Sequence, residues 1–319
     1  MSELQRATIK TIAKEANVTP NTVSLALRNS PLVKAETMRL ITAIAKRQGY
    51  VPNVIAESLR SGRSKLIALV FGDVGNPLFA MKIKKLEKVF HDQNYQVMIL
   101  NTNENPELEM QAIRTAISRN TDGVILCPCQ HGREALDMLH QYQVPCVLIG
   151  RSFDDEKEDS VVWDNFNGGY LATKYLLSLG CKDILCLLGP HAISTSGERR
   201  DGYVSALVEA GIVPDSSLQI EPILGRVDNS LKSIAVSYDG VFAFSDILAW
   251  EAACHLPDGF PIIGFDNVLE FFSLPFSMSS IAANLDEEAK QVMNLLLGRI
   301  EAFDRPVSKI VLPVDIVVR

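Results

Sequence analysis

The 319-residue chain predicts an α/β protein in two parts, a small all-helical head and a large body of two sheet-containing lobes. Three observations carry that expectation. Charge is divided along the chain: residues 1–65 hold eleven Lys/Arg against four Asp/Glu, net +7, whereas the remainder holds 20 against 34, net −14. The first fifty residues read as three short helices with apolar positions at helical period. From Lys65 onward, strand-like apolar runs alternate with helical segments, the pattern of a parallel sheet with covering helices.

Composition removes several classes. With 47% hydrophobic and 22% charged residues, the chain is neither disordered nor collagenous nor a coiled coil, and it has length for two or three cores. Apolar stretches such as 66–71 are too short to span a bilayer, and Met1–Arg6 is polar, so no membrane partner and no secretory signal are expected. Six cysteines (127, 129, 146, 181, 186, 254) form no CxxC pair; apolar neighbours predict burial, and a reduced, cytoplasmic compartment suits them. The five histidines (91, 131, 140, 191, 255) lack ligand spacing and read as surface residues. Glycine-rich phosphate loops, HExxH and GxSxG are missing, so the expectation is no enzyme, no cofactor and no metal.

The head is read helix by helix. Thr8 precedes an Ile9, Ile12, Ala13, Ala16 stripe and can cap it, and Asn17 tolerates the left-handed conformation that ends a helix. Thr19 caps the next helix and Pro20 suits its first position, where a missing N–H costs nothing. Over residues 20–29, Val23, Ala26 and Leu27 point inward, while Asn21, Thr22, Ser24, Leu25 and Arg28 point outward. A third helix near 35–48 carries Met38, Ile41, Ile44 and Ala45 on one face and stops at Gly49. Two short helices joined by a three-residue turn make a helix-turn-helix. An outward face of Asn, Thr, Ser and Arg on a basic unit suits double-stranded DNA: hydroxyls and Arg bond phosphates, and Asn reads adenine edges.

At this point the residues resemble a known family. The run Ala7 to Asn29, then Ser30-Pro-Leu-Val-Lys-Ala-Glu-Thr37 and Gly49-Tyr-Val-Pro-Asn53, is similar to the head of LacI/GalR-type transcriptional regulators, the lactose and purine repressor family. The resemblance is dense over the first sixty residues and looser beyond. It implies that Pro20, Asn21 and Leu25 touch bases, and that Thr22, Ser24 and Arg28 touch phosphate, with Thr8 and Thr19 also at the DNA. Leu25 departs from the Arg or His common there; it lacks a polar group for a base edge but suits a thymine methyl. Residues 51–62 resemble the family's hinge helix, two of which enter the minor groove side by side in a dimer. Leu59 matches the wedge that kinks the central step, with Asn53, Ala56 and Arg60 beside it. So short a helix is unstable alone and is expected to order only on DNA. Glu57 departs from the usual Arg.

In the body, strands are expected at 66–72, 96–101, 123–128, 147–149 and 161–163, with helices near 79–93, 106–119 and 133–142. The alternation then repeats: helix 169–179, strand 184–188, helix 197–210, strand 240–244, helix 247–255, strand 262–265, and a last strand near 310–318. Asp122-Gly-Val-Ile-Leu126 echoes Asp239-Gly-Val-Phe-Ala243, which favours two similar Rossmann-like lobes. Ligands in open α/β sheets bind beyond the carboxyl ends of the strands, so facing lobes make a cleft there. The resemblance implies the periplasmic-binding-protein type of body. It places Asn76, Phe79, Asp164, Arg199, Ser245 and Asp266 at a small-molecule effector, a sugar or sugar derivative. Phe79 stacks on it, Arg199 is the conspicuous cation, and Asp266 accepts ligand protons. Ser245 stands where sugar-binding members often keep Asn, and Asp246 reads as a helix cap.

The expected division is 1–50 for the helix-turn-helix domain, 51–64 for hinge helix and linker, and 65–319 for effector binding and dimerisation. The first lobe takes approximately 65–163 plus 285–308, the second 164–284 plus 309–319. The resulting expectation is a homodimeric DNA-binding repressor on a palindromic operator, without a tetramerising heptad tail. A transport protein of the same body predicts a signal peptide and no basic head, and an α/β enzyme predicts a catalytic constellation; neither matches the chain.

Overall fold

The structure, a computed structural model, describes residues 7–51, 58, 62–153, 155, 157–268 and 278–319. The chain divides into two compact units, residues 1–64 and 65–319.

In the first unit, local capping chemistry sets the helix starts. The Thr8 hydroxyl accepts from the Thr11 N–H and the Thr11 hydroxyl accepts from the Thr8 N–H, a capping box that opens α1 (Ile9–Ala16). Asn17, at φ 53°, closes it. Thr19 caps α2 (Pro20–Leu27) with Pro20 at the first position, and α3 (Ala35–Arg47) follows. Ile12, Ala13, Ala16, Val23, Ala26, Val33, Ile41, Ile44 and Ala45 make one core, one residue set from each helix plus Val33 from the loop. The hinge residues Asn53, Ala56, Leu59 and Arg60 lie outside the described residues.

The second unit holds two six-stranded sheets. The first is built from β1 (Leu66–Phe71), β2 (Gln96–Asn101), β3 (Gly123–Leu126), β4 (Cys146–Ile149), β5 (Asp159–Trp163) and β11 (Lys309–Leu312), in the order β11-β5-β4-β3-β1-β2, every pairing parallel. The second comprises β6 (Ile184–Leu187), β7 (Gln219–Ile220), β8 (Gly240–Ala243), β9 (Ile262–Phe265), β10 (Ser279–Ala283) and β12 (Val314–Val317), in the order β12-β10-β9-β8-β6-β7. Only β12 runs antiparallel to its neighbour among these described strands. Both sheets reverse direction of strand order beside their first strand, so each has its switch point at the end of that strand.

Helices cover the first sheet: α4 (Pro77–Asp92), α5 (Pro106–Ser118), α6 (Glu134–Gln141) and α11 (Leu285–Glu301). The second carries α7 (Asn165–Ser178), α8 (Ser194–Glu209), α9 (Val227–Lys232) and α10 (Asp246–Ala253). The chain passes between sheets at 163–165, 283–285 and 312–314. The third passage corrects an expectation. Residues 309–312, assigned from sequence to the second lobe, pair in parallel with β5 of the first, and the switch falls at Pro313. Proline has no N–H for a ladder, so it sits between two strands rather than within one.

β1, β3, β4 and β5 are buried along nearly their whole length, which accounts for their continuous apolar runs. Five cysteines are buried as expected, but Cys254, at the end of α10, is exposed. Among the described residues no helix is long and apolar enough to cross a membrane.

Candidate functional site

Two surfaces concentrate the predicted residues, one in each unit. On the head, Thr19, Pro20, Asn21 and Arg28 are exposed on α2 and its flanks, and Thr8 is exposed at the start of α1. Thr8 and Thr19 spend their hydroxyls on helix caps, and Thr22 shares a hydroxyl–hydroxyl bond of 2.9 Å with Thr19. Arg28 folds back on its own helix, its Nε donating to Ser24 O and its Nη2 to Ser24 Oγ. Leu25 is a correction: expected outward, it is half-buried and packs on the head core with Leu27. The α2–α3 loop closes back under it, with the Ser30 N–H donating to Leu25 O at 3.0 Å.

In the body, the segments that follow the carboxyl ends of β1, β5, β6, β8 and β9 carry the six predicted effector residues, with Arg199 in α8 after β6. Three of them prove to be helix caps. Asn76 accepts from the Leu78 N–H and starts α4; Asp164 accepts from the Asn167 N–H and starts α7; Ser245 accepts from the Leu248 N–H and starts α10. Asp246, read from sequence as the cap, is instead fully buried. Its carboxylate accepts from the Val268 N–H at 2.8 Å and the Ser280 hydroxyl at 2.6 Å, tying the ends of β9 and β10 together. Phe79 is buried edge-on to Phe71, ring centroids 5.5 Å apart.

Arg199 and Asp266 meet. Both are buried, with Nη2 3.5 Å from Oδ1. Arg199 also donates to Asn165 Oδ1 at 3.0 Å and to the Phe244 carbonyl, and its guanidinium lies 3.4 Å above the Phe265 ring centroid. Burial draws Arg199 down to about 10, Asp266 opposing, which leaves it a cation at neutral pH. Burial pushes Asp266 up to about 7, with Arg199 pulling down and Asp246 pushing further. Asp266 also sits at φ 97°, a backbone region that non-glycine residues rarely occupy. Among the described residues, two buried oxygens here lack hydrogen-bond partners, Asp266 Oδ1 and Ser194 Oγ at the start of α8. Buried polar atoms are normally satisfied, so each of these oxygens is an exception to that rule.

The sequence reading missed a second set of charges. Lys82 and Glu288 form a buried pair at 2.8 Å, and the Lys82 ammonium lies 4.4 Å over the Trp163 ring. Burial raises the Glu288 carboxyl while Lys82 opposes that rise. Arg151 grips the Glu104 carboxylate with both terminal nitrogens, at 2.7 and 2.9 Å, and reaches Pro128 O. Gln130 accepts from the Ser194 N–H at 2.9 Å, a direct bond between the two sheets' loops. A signal existed for the first pair: Lys82 falls in the Phe79, Ile83, Leu86, Phe90 stripe and Glu288 in the Leu285, Ala289, Val292, Leu296 stripe. A charge inside an apolar helical stripe needs a buried partner.

A three-helix head that presents a polar recognition helix, joined to a two-sheet body whose strand ends gather buried polar and charged residues, defines a ligand-responsive DNA-binding regulator. Comparison with known proteins agrees with each part. Residues 8–53 match the model of bacterial regulatory proteins of the lacI family, and 64–232 match that of periplasmic binding proteins and the sugar binding domain of the LacI family. Residues 173–319 match a periplasmic binding protein-like domain. The chain belongs to the LacI family of bacterial regulatory proteins. It is 29% identical to the HTH-type transcriptional regulator DegA of Bacillus subtilis, covering 98% of this chain and 97% of that one. It is likewise 29% identical to the HTH-type transcriptional repressor PurR of Pasteurella multocida, covering 98% of each. The fold is similar to that of the lac repressor dimer bound to operator and the anti-inducer ONPF, with a TM-score of 0.83 at 18% identity, covering 99% of this chain and 98% of that one.

Proposed function

We propose that this protein is a homodimeric transcriptional repressor whose hold on a palindromic operator is set by a sugar or related metabolite bound between the lobes. On the DNA side, Asn21 and Pro20 face bases, and Thr8, Thr19, Thr22, Ser24 and Arg28 face phosphates. Asn53, Ala56, Leu59 and Arg60 serve the minor groove. In the cleft, Arg199 and Asp266 bind the effector and Phe79 supplies an apolar wall. Asn76, Asp164 and Ser245 hold the helix starts that frame it. Catalysis has no part in this reading, and the protein works in the cytoplasm, where its DNA is.

The observation that carries the effector half is the buried Asp266 oxygen without a hydrogen bond, 3.5 Å from Arg199. A ligand hydroxyl or amine satisfies it. Effector and operator are then linked reciprocally through the lobe arrangement. A thermal-shift panel of sugars, sugar phosphates and nucleobases on the full chain tests this. One compound class raises Tm with the intact protein and not with Arg199→Met. A compound that raises both equally binds elsewhere and refutes the assignment.

A further inference from the structure

We infer that Lys82 is a positioning residue for the cleft: acting through Trp163 and Phe265, its ammonium sets the platform on which Arg199 rests. Four groups stack in a column. The Lys82 Nζ lies 4.4 Å from the Trp163 centroid, Trp163 lies 6.3 Å from Phe265 with the rings 15° from parallel, and Arg199 Cζ lies 3.4 Å from the other ring's centroid. Both ends are anchored by carboxylates, Glu288 at 2.8 Å from Lys82 and Asp266 at 3.5 Å from Arg199. Lys82 and Trp163 belong to the first sheet's layer and Phe265 and Arg199 to the second's. The column therefore joins the lobes beside the 163–165 passage.

Neighbouring backbone makes room for this arrangement. A Cβ on Gly168 of α7 would stand 2.5 Å from the Phe265 ring, so only glycine lets that ring lie where it does. At the other end, Gly150 passes at φ +75° over the ammonium, with space for its Cβ 3.4 Å from Lys82 Nζ. An aromatic ring holds a cation on its face by its quadrupole and a second ring by offset stacking. Trp163 does both at once. A buried charge pair is costly where two apolar side chains of the same volume would pack as well. The cation is thus better accounted for by orienting the indole than by filling space.

The role of Arg199 comes from the effector reading, but the test needs no effector, so the two fail separately. The full chain holds two tryptophans, Trp163 and Trp250. Trp250→Phe leaves Trp163 as the sole reporter. Lys82→Met with Glu288→Gln keeps volume and removes both charges; it raises acrylamide quenching of Trp163 about twofold and moves its emission maximum, and Lys82→Arg restores the original signal. Arg199→Met also moves the Trp163 signal, and that response disappears when Phe265→Leu is present. Far-UV circular dichroism confirms folding, and if the neutral pair fails to fold, Lys82→Gln with Glu288→Gln, whose amides can bond each other, takes its place under the same reading. An unchanged Trp163 signal in folded K82M/E288Q overturns the inference. So does an Arg199→Met response that is the same with and without Phe265→Leu.

Discussion

Arg199 Nη2 stands 3.5 Å from Asp266 Oδ1, and among the described residues that oxygen accepts no hydrogen bond although both side chains are buried. Asp266 occupies this place at φ 97°, where backbone strain persists only if the surroundings hold it. Asp246 does the holding on one side, through the Val268 N–H and the Ser280 hydroxyl. The strand ends are thus arranged around a carboxyl oxygen that has no hydrogen bond among the described residues.

That carboxyl makes stability depend on pH in a defined sense. Its value in the folded protein, about 7, lies above the ordinary 3.8. The folded state binds the proton more tightly, so the contribution is complete below about pH 3.8 and lost as pH rises through 7. Urea unfolding of wild type and Asp266→Asn checks it. The stability difference, wild type minus variant, falls as pH rises from 4 to 7, by at most about 1.4 kcal/mol per pH unit. A difference that grows with pH contradicts a raised carboxyl.

Lys82 and Glu288 behave as a unit. Lys82→Met alone strands a buried carboxylate and costs about 3–5 kcal/mol less whatever Glu288 regains by taking a proton. Lys82→Met with Glu288→Gln recovers much of that loss. Denaturation midpoints of the two variants measure it; equal losses mean that packing, not charge, governs the site.

On the head, Asn21→Ala and Arg28→Ala fail differently. Asn21→Ala lowers affinity for the specific site about tenfold and leaves non-specific binding and its salt slope in place. Arg28→Ala weakens all sequences alike and lessens the salt slope by about one counterion. Fluorescence anisotropy at several salt concentrations separates the two, and a reversed pattern refutes the assignment of bases and phosphates.

Thr19→Ala removes the hydroxyl that accepts from the Thr22 N–H. Loss of such a cap costs about 1 kcal/mol of helix stability. The head's melting temperature falls while unfolding of the body does not change; a loss in both reassigns Thr19 to something other than a local cap.

Much of the fold is legible in the residues because local rules act there. Thr8, Asn17, Thr19 and Pro20 announce the ends of α1 and α2, and β1 and β3 announce themselves as unbroken apolar runs between helices. Other elements leave no such mark. β10 reads Ser-Ser-Ile-Ala-Ala and owes its place to pairing with β9 and β12, not to propensity. β11 and β12 look like one strand because a single proline separates two sheets. The site is legible only in part for the same reason. Asn76, Asp164 and Ser245 are visible as polar residues at strand ends, yet their commitment to backbone depends on the helices they start. The approach of Arg199 to Asp266, and of Lys82 to Trp163, is made by tertiary packing across many residues, which periodicity does not encode.

The central claim, that the head reads DNA under control of the body's cleft, is tested most directly by selecting duplexes from a random library with the full chain. Binding of the enriched site is then measured with and without the compound that raises Tm. The account predicts a palindromic site whose dissociation constant changes at least about fivefold on adding the compound. A chain that enriches no palindrome, or holds its site with the same affinity either way, contradicts it.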